Sequence, residues 1–206
     1  MRNSLGLFAF SVSAFAILAS GISASAGDFM VDKDHSHVGF KVRHLVSRVM
    51  GEFKDYQGTF SFDPKKVSDS KVSFTIKTAS VNTDNEKRDT HLRSADFFDV
   101  QRYPEMTFES KKVTLVGKNK YKVEGDFTLH GEKKPVPFEV EYLGETKDPW
   151  GNQRAGFTAT AQIDRKKFGL TWNKALEAGG LMVGDDVSIE LQIEAVEKKT
   201  DSAKKM

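Results

Sequence analysis

His35 and His37 are the first residues of this chain whose type and spacing could do chemistry. Side chains two apart on an extended strand leave by the same face, so the two imidazoles could form half of a metal site. Two ligands are not a site, the chain has no Cys, and the neighbouring Asp residues are ordinary surface types. A structural or solvated pair is the preferred reading, and no metal or other cofactor is expected. Ser36 points to the opposite face of such a strand, so it cannot pair with His35 as nucleophile and base. Asp89 and His91 are two apart in a helical run and do not face each other either. Two polar positions keep a binding role open. Arg88, in the run Arg88-Asp89-Thr90-His91-Leu92-Arg93, is either part of a solvated helix face or part of a mouth that attracts an anionic head group. His44 shares the apolar alternation of Val38, Phe40 and Val42. Its default reading is a satisfied core histidine; the alternative is a hydrogen bond to the polar head of an otherwise apolar guest.

Strict alternation supplies the elements that must position these residues. Val38, Phe40, Val42 and His44 form one face of a first strand, and Tyr56, Phe60 and Phe62 one face of a second. Phe53 has the wrong parity for the second, which predicts a bulge between it and Tyr56. Val72, Phe74 and Ile76 mark a third strand, and Met106 and Phe108 a fourth that must shift register before Val113 and Leu115. Tyr121, Val123, Phe127 and Leu129 make a fifth, joined through a polar turn to a sixth with Val136, Phe138, Val140 and Tyr142. Phe157, Ala159, Ala161 and Ile163 form the seventh, and Val187 to Ala195 the eighth. Eight strands without alternating helices read as an all-β antiparallel barrel or sandwich, and the barrel is favoured because closure removes exposed edges. Thr83-Asp84-Asn85-Glu86 reads as a capping box opening a short helix to about Ser94, between strands three and four. Leu92, Ala95 and Phe98 recur along it and could close one end of the barrel. Asn173 to Ala178 reads as one or two helical turns before the last strand, and Gly179, Gly180 and Gly184 bracket an apolar flap. An eight-stranded barrel can be filled or can hold one small ligand, and Gly125, Ala159 and Ala161 on inward registers leave both options open.

Composition narrows the class. Arg2, the apolar run from Leu5 to Leu18 and the small-x-small Ala24-Ser25-Ala26 predict a cleaved export signal over residues 1–26, with a mature chain from Gly27. That run is too short for a bilayer span and no second one follows, so no stable membrane insertion is expected. The chain has 31 Lys and Arg against 29 Asp and Glu, a balance that argues against nucleic acid as a partner. Sixteen Phe against 2 Trp and 4 Tyr point to much apolar surface on strands. Residues 27–196 read as one domain and 197–206 as a charged, frayed tail.

The run from Arg88 to Asp99, with Ser94-Ala95-Asp96-Phe97-Phe98-Asp99 after the helix, closely resembles the signature of the YceI-like family. So do Tyr103-Pro104, Thr107-Phe108-Glu109-Ser110, His35-Ser36, His44-Leu45 and Gly51-x-Phe53. The hairpin Gly125-Asp126-Phe127-Thr128-Leu129-His130-Gly131 with Lys134-Pro135-Val136 fits the same pattern, and Asp148-Pro149-Trp150-Gly151 followed by Arg154-Ala155-Gly156-Phe157 resembles its periplasmic branch. The resemblance implies a lipocalin-like barrel that is hollow, with a long apolar channel for a polyisoprenoid, quinone-type or acyl lipid, and a periplasmic location. The segment from Leu170 to Val183 varies among members, so flap and head-group contacts carry over poorly. The resulting expectation is a lipid-binding barrel without catalytic residues. Its lining would include Phe40, Val42, Phe60, Phe74, Ile76, Phe108, Phe127, Phe138, Phe157 and Trp172, with His44 and Arg88 as head-group candidates. A homodimer stays open. The rivals are a lipid-modifying enzyme using the inward His44 and a solid-core interaction module.

Overall fold

The alternating segments form strands that close on themselves. The computed structural model describes residues 27–177 and 179–198, so the export signal and residues 199–206 of the tail lie outside the described residues. In chain order the elements are β1 (Gly27–Val31), β2 (His37–His44), β3 (Ser47–Phe53), β4 (Tyr56–Phe62), β5 (Lys71–Lys77) and β6 (Val81–Asn82). Helix α1 (Glu86–Arg93) follows, then β7 (Glu105–Gly117), β8 (Lys120–Leu129), β9 (Glu132–Lys147), β10 (Gln153–Asp164), a 3₁₀ turn (Arg165–Phe168) and β11 (Val183–Glu197). Every pairing is antiparallel, and β1 meets β11 to close the ring.

Eleven strands reduce to eight staves. β1 and β2 are one stave broken at Asp32–Ser36, β3 and β4 a second broken at Lys54–Asp55, and β5 and β6 a third broken by a 3₁₀ turn at Thr78–Ser80. The halves pair in step: β1 with β4, β2 with β3, β4 with β5 and β3 with β6. The expected bulge between Phe53 and Tyr56 is the second of these breaks, and the register shift expected in the fourth strand falls between Ser110 and Lys112. Each break re-satisfies its backbone. The Ser36 hydroxyl donates to the Glu194 carbonyl (3.1 Å) and accepts from the Glu194 N–H (3.0 Å), replacing ladder bonds opposite β11. Tyr56 donates its phenol to the Ser36 carbonyl at 2.7 Å, and buried Thr78 donates to the Tyr103 carbonyl at 2.8 Å.

Several local expectations need correction. The N-cap of α1 is Asn85, whose side chain accepts from the Arg88 N–H at 3.0 Å. Thr83 is held instead by Asp89, whose Oδ1 accepts the Thr83 N–H at 2.9 Å. The helix stops at Arg93 and Ser94 is its C-cap, so Ala95 is an exposed turn residue while Leu92 and Phe98 face inward. Residues 173–177 are not helical: Ala175 bridges Leu181, and Ala178 lies outside the described residues. The helical turn before the last strand is Arg165–Phe168, ended by Gly169 at φ 80°, a left-handed conformation that suits glycine. The last strand runs through Glu197, assigned to the tail by sequence, because Glu197 pairs with Phe29 in the closing seam.

The paired histidines do not share a face. His35 sits in a 3₁₀ turn and its Nδ1 lies 2.9 Å from Asp32 Oδ2, whereas His37 opens β2 and its Nδ1 lies 3.1 Å from Glu52. Asp32, His35 and Glu194 do converge to within 4.8 Å. The protein fills that place with its own cation: the Arg154 guanidinium reaches Asp32 at 2.7 Å, Glu194 at 2.5 Å and Asp148 at 3.0 Å. This knot ties the first break, β11 and the β9–β10 loop together. Burial alone would raise the Asp148 carboxyl, but bonds from the Asn152 side chain and N–H, from Arg154 and from the Trp150 N–H outweigh it and hold the group far below its usual 3.8. The unfolded chain therefore takes up a proton that the folded chain refuses, and stability should fall as the pH drops below 3.8. Thermal unfolding of Asp148→Asn across that range should show a flatter acid dependence than the wild type; an unchanged slope would assign it to another group.

Candidate functional site

Inside the barrel lies a cavity of about 230 Å³ whose surface is almost wholly apolar. Strand alternation places its wall: Phe40 and Val42 from β2, Phe60 from β4, Phe74 and Ile76 from β5, Phe108 from β7, Phe127 from β8, Phe138 from β9 and Phe157 from β10. Those nine of the lining residues named from sequence meet on one cavity. Three others do not reach it. Trp172 stands behind the wall, edge-on to His91 at 4.8 Å and 5.1 Å from Phe97, which does line the cavity. His44 ends β2 opposite Val183 and Ser47 and is half-buried at the rim. Arg88 folds back on Thr83, with Nε donating to its hydroxyl and Nη2 to its carbonyl, each at 2.7 Å. Both head-group candidates thus serve the local backbone or the rim.

A Phe-rich lining leaves a void because several rings lie in the wall. A Cβ built on Gly51 would meet Phe40 Cζ at 2.4 Å, one on Gly58 would meet Phe74 Cδ2 at 2.4 Å, and one on Gly125 would meet Phe108 Cζ at 2.6 Å. Each ring occupies the space of a neighbour's missing side chain and stays out of the lumen. Gly125 is therefore not a source of empty volume, contrary to the sequence-based option; of the three small inward residues, only Ala159 borders the cavity.

Aromatic rings close one end. Phe62 on β4 lies 5.5 Å from Tyr121, 5.2 Å from Tyr142 and 5.5 Å from Phe157. β4 and β9 stand opposite each other in the ring, so the Phe62–Tyr142 contact spans the full diameter. Phe60 meets Phe157 edge-on at 5.0 Å in the next layer. Burial, with the Glu145 carboxylate beside it, pushes the Tyr142 phenol up to about 12, so this floor carries no charge near neutrality.

The other end is closed by chain segments. Phe98, after α1, packs edge-on against Phe53 at 5.6 Å, and Phe168 against Phe127 at 5.6 Å. Arg165, 4 % exposed, bolts the closing segment down. Its Nε donates to the Gly184 carbonyl (2.9 Å), its Nη1 to those of Leu170 (2.5 Å) and Trp172 (2.9 Å), and its Nη2 lies 3.6 Å from Asp185. Burial pushes this guanidinium down, partly offset by Asp185 and Asp164, yet an arginine keeps its charge at any ordinary pH. Asn173 adds a second clasp, donating to the Val183 carbonyl (2.7 Å) and accepting its N–H (3.1 Å). Sequence reasoning missed Phe53, Phe62, Phe97 and Arg165 as site residues. The parity break hid Phe53, and nothing in the local pattern separates Arg165 from Lys166 and Lys167.

An up-and-down antiparallel β-barrel of eight staves around an apolar cavity is the class of protein that this geometry defines. The chain belongs to the YceI-like family, whose domain model matches residues 29–195. A UPF0312 protein of Pseudomonas savastanoi pv. phaseolicola is 41% identical over 187 residues, covering 89% of this chain and 93% of that protein. The crystal structure of Burkholderia cenocepacia BcnA superposes with a TM-score of 0.72 at 25% identity, over 80% of this chain and 98% of that one. The fold is also that of a polyisoprenoid binding domain from Saccharophagus degradans, implicated in plant cell wall breakdown, with a TM-score of 0.63 at 14% identity over 84% and 100% of the two chains.

Proposed function

We propose that this protein is an exported, non-catalytic carrier that holds a long-chain isoprenoid, quinone-type or acyl lipid inside its barrel, for transport, storage or sequestration in the periplasm. The apolar cavity inside the barrel carries this reading, supported by the fold shared with a polyisoprenoid binding domain. Each methylene moved from water into such a lumen contributes about 0.8 kcal/mol, so a long chain needs little polar recognition. The export signal read over residues 1–26 supports the location. The lining is aromatic and aliphatic apart from Ser61, Ser70, Thr107 and Arg165, and His44 lies at the rim. Organic extraction of protein purified without added ligand should yield such a lipid in near-stoichiometric amount from a chain beginning at Gly27. Lipid-free protein that also ignores added lipid would overturn the carrier reading.

A further inference from the structure

We infer that the tip of the β2–β3 hairpin, with the closing segment stitched to it, is a docking surface for an anionic phospholipid bilayer. The two-residue loop between β2 and β3 is Leu45-Val46, a place where glycine and small polar residues are the ordinary choice. Val46 is fully exposed, and Leu45 and Met50 are exposed as well. Leu45 also holds φ at 51°, a left-handed conformation that glycine adopts without strain. A strained, exposed apolar pair costs the free protein stability, and burial in an apolar phase would offset that cost.

Charge around the tip identifies the phase. From Lys41 to Gly51 the chain has three Lys and Arg and no acid. Lys41 is held by Glu190 at 2.7 Å. Arg43 and Arg48 are exposed and stand directly opposite each other across the ladder, and neither side chain has a partner among the described residues. Like charges facing each other on a sheet repel, so an anion between them would lower the energy. The closing segment joins the same surface: the Met182 carbonyl accepts the Leu45 N–H at 2.9 Å, and the Met182 N–H donates to the Lys174 carbonyl at 3.0 Å. Lys174 and Leu181 are both exposed there. The acids of the adjoining segments are Asp185, paired with Arg165 and Lys166, and exposed Glu177 and Asp186, none of them on the hairpin. Apolar side chains at a tip flanked by free guanidinium groups suit a surface with phosphates outside and acyl chains beneath. Docking would set the end closed by Phe98 and the Arg165-held segment against the bilayer, where a guest could leave or enter without crossing water. That purpose rests on the carrier reading; the docking itself does not.

The test is co-sedimentation with vesicles of phosphatidylethanolamine and phosphatidylglycerol, and with vesicles of phosphatidylcholine alone. The wild type should bind the anionic vesicles, bind the neutral ones at least about tenfold more weakly, and come off as salt is raised. Leu45→Gly with Val46→Ser removes the apolar tip and relieves the backbone, so it should fold as the wild type does and bind at least about tenfold more weakly. Arg43→Gln with Arg48→Gln should weaken binding on the order of 20-fold, at about fivefold for each cation near an anionic surface. Val116→Ser changes an exposed apolar residue in the β7–β8 connection, at the opposite end of the barrel, and should bind as the wild type does. A wild type that ignores anionic vesicles, tip variants that bind like the wild type, or a Val116→Ser loss as large as theirs would each overturn the docking surface. So would a tip that pairs with a second copy of the chain in analytical ultracentrifugation and leaves the vesicles alone. None of these outcomes touches the carrier reading, which lipid content tests separately.

Discussion

Ala159→Trp should empty the protein of lipid and leave it folded. Ala159 is 8 % exposed, pairs with Val140 and Leu191, and borders the cavity with its methyl. An indole there would take guest volume and gain contact with standing walls. Lipid retained through purification should drop at least about tenfold, the effect of losing only about two buried methylenes. The denaturant midpoint of delipidated variant should match the wild type or exceed it slightly. In a filled barrel the same change would overpack the core and cost roughly 1–3 kcal/mol. Lipid content and denaturant midpoint measured on the same preparations separate the two; a lowered midpoint with unchanged lipid would place the guest elsewhere.

Arg165→Met should be strongly destabilising. It keeps most of the buried stem but removes the donors to the carbonyls of Leu170, Trp172 and Gly184 and the cation facing Asp185. Buried acceptors left without a partner cost about 1–3 kcal/mol each, and a broken buried charge network about 3–5 kcal/mol in all. Arg165→Lys should recover little, because one ammonium cannot serve three carbonyls arranged around a planar fork. Denaturant unfolding measures the total, and amide exchange at Leu170 to Gly184 should quicken first, since these residues lose their tether. A loss below about 1 kcal/mol, the size of an exposed ion pair, would show that the closing segment holds itself.

The wall of the cavity was legible because period-two alternation is a direct consequence of strand geometry, and one face of each stave had to be apolar. Phe40, Phe74 and Phe138 could be placed inside without any structure. Their packing could not, since it depends on which glycine lies across the ladder: Phe40 opposite Gly51 and Phe74 opposite Gly58. Alternation also fails where staves break, which hid Phe53 and made the His35–His37 pair look like one face. The head-group candidates lie off the cavity wall for a related reason. His44 keeps the inward parity of β2 but sits at its end, where inward means rim, and Arg88 is drawn away by Thr83, five residues earlier in the chain. Arg165 was illegible because its partners are backbone carbonyls of an irregular segment, which leave no side-chain signature.

Native mass spectrometry of the protein as it comes from cells, without added ligand, asks directly whether the barrel is a container. The account predicts a main species heavier than the bare chain by one lipid, released on collisional activation and absent from Ala159→Trp. A well-folded wild type that appears only at the bare mass, and stays there after incubation with long-chain isoprenoid alcohols, would contradict it.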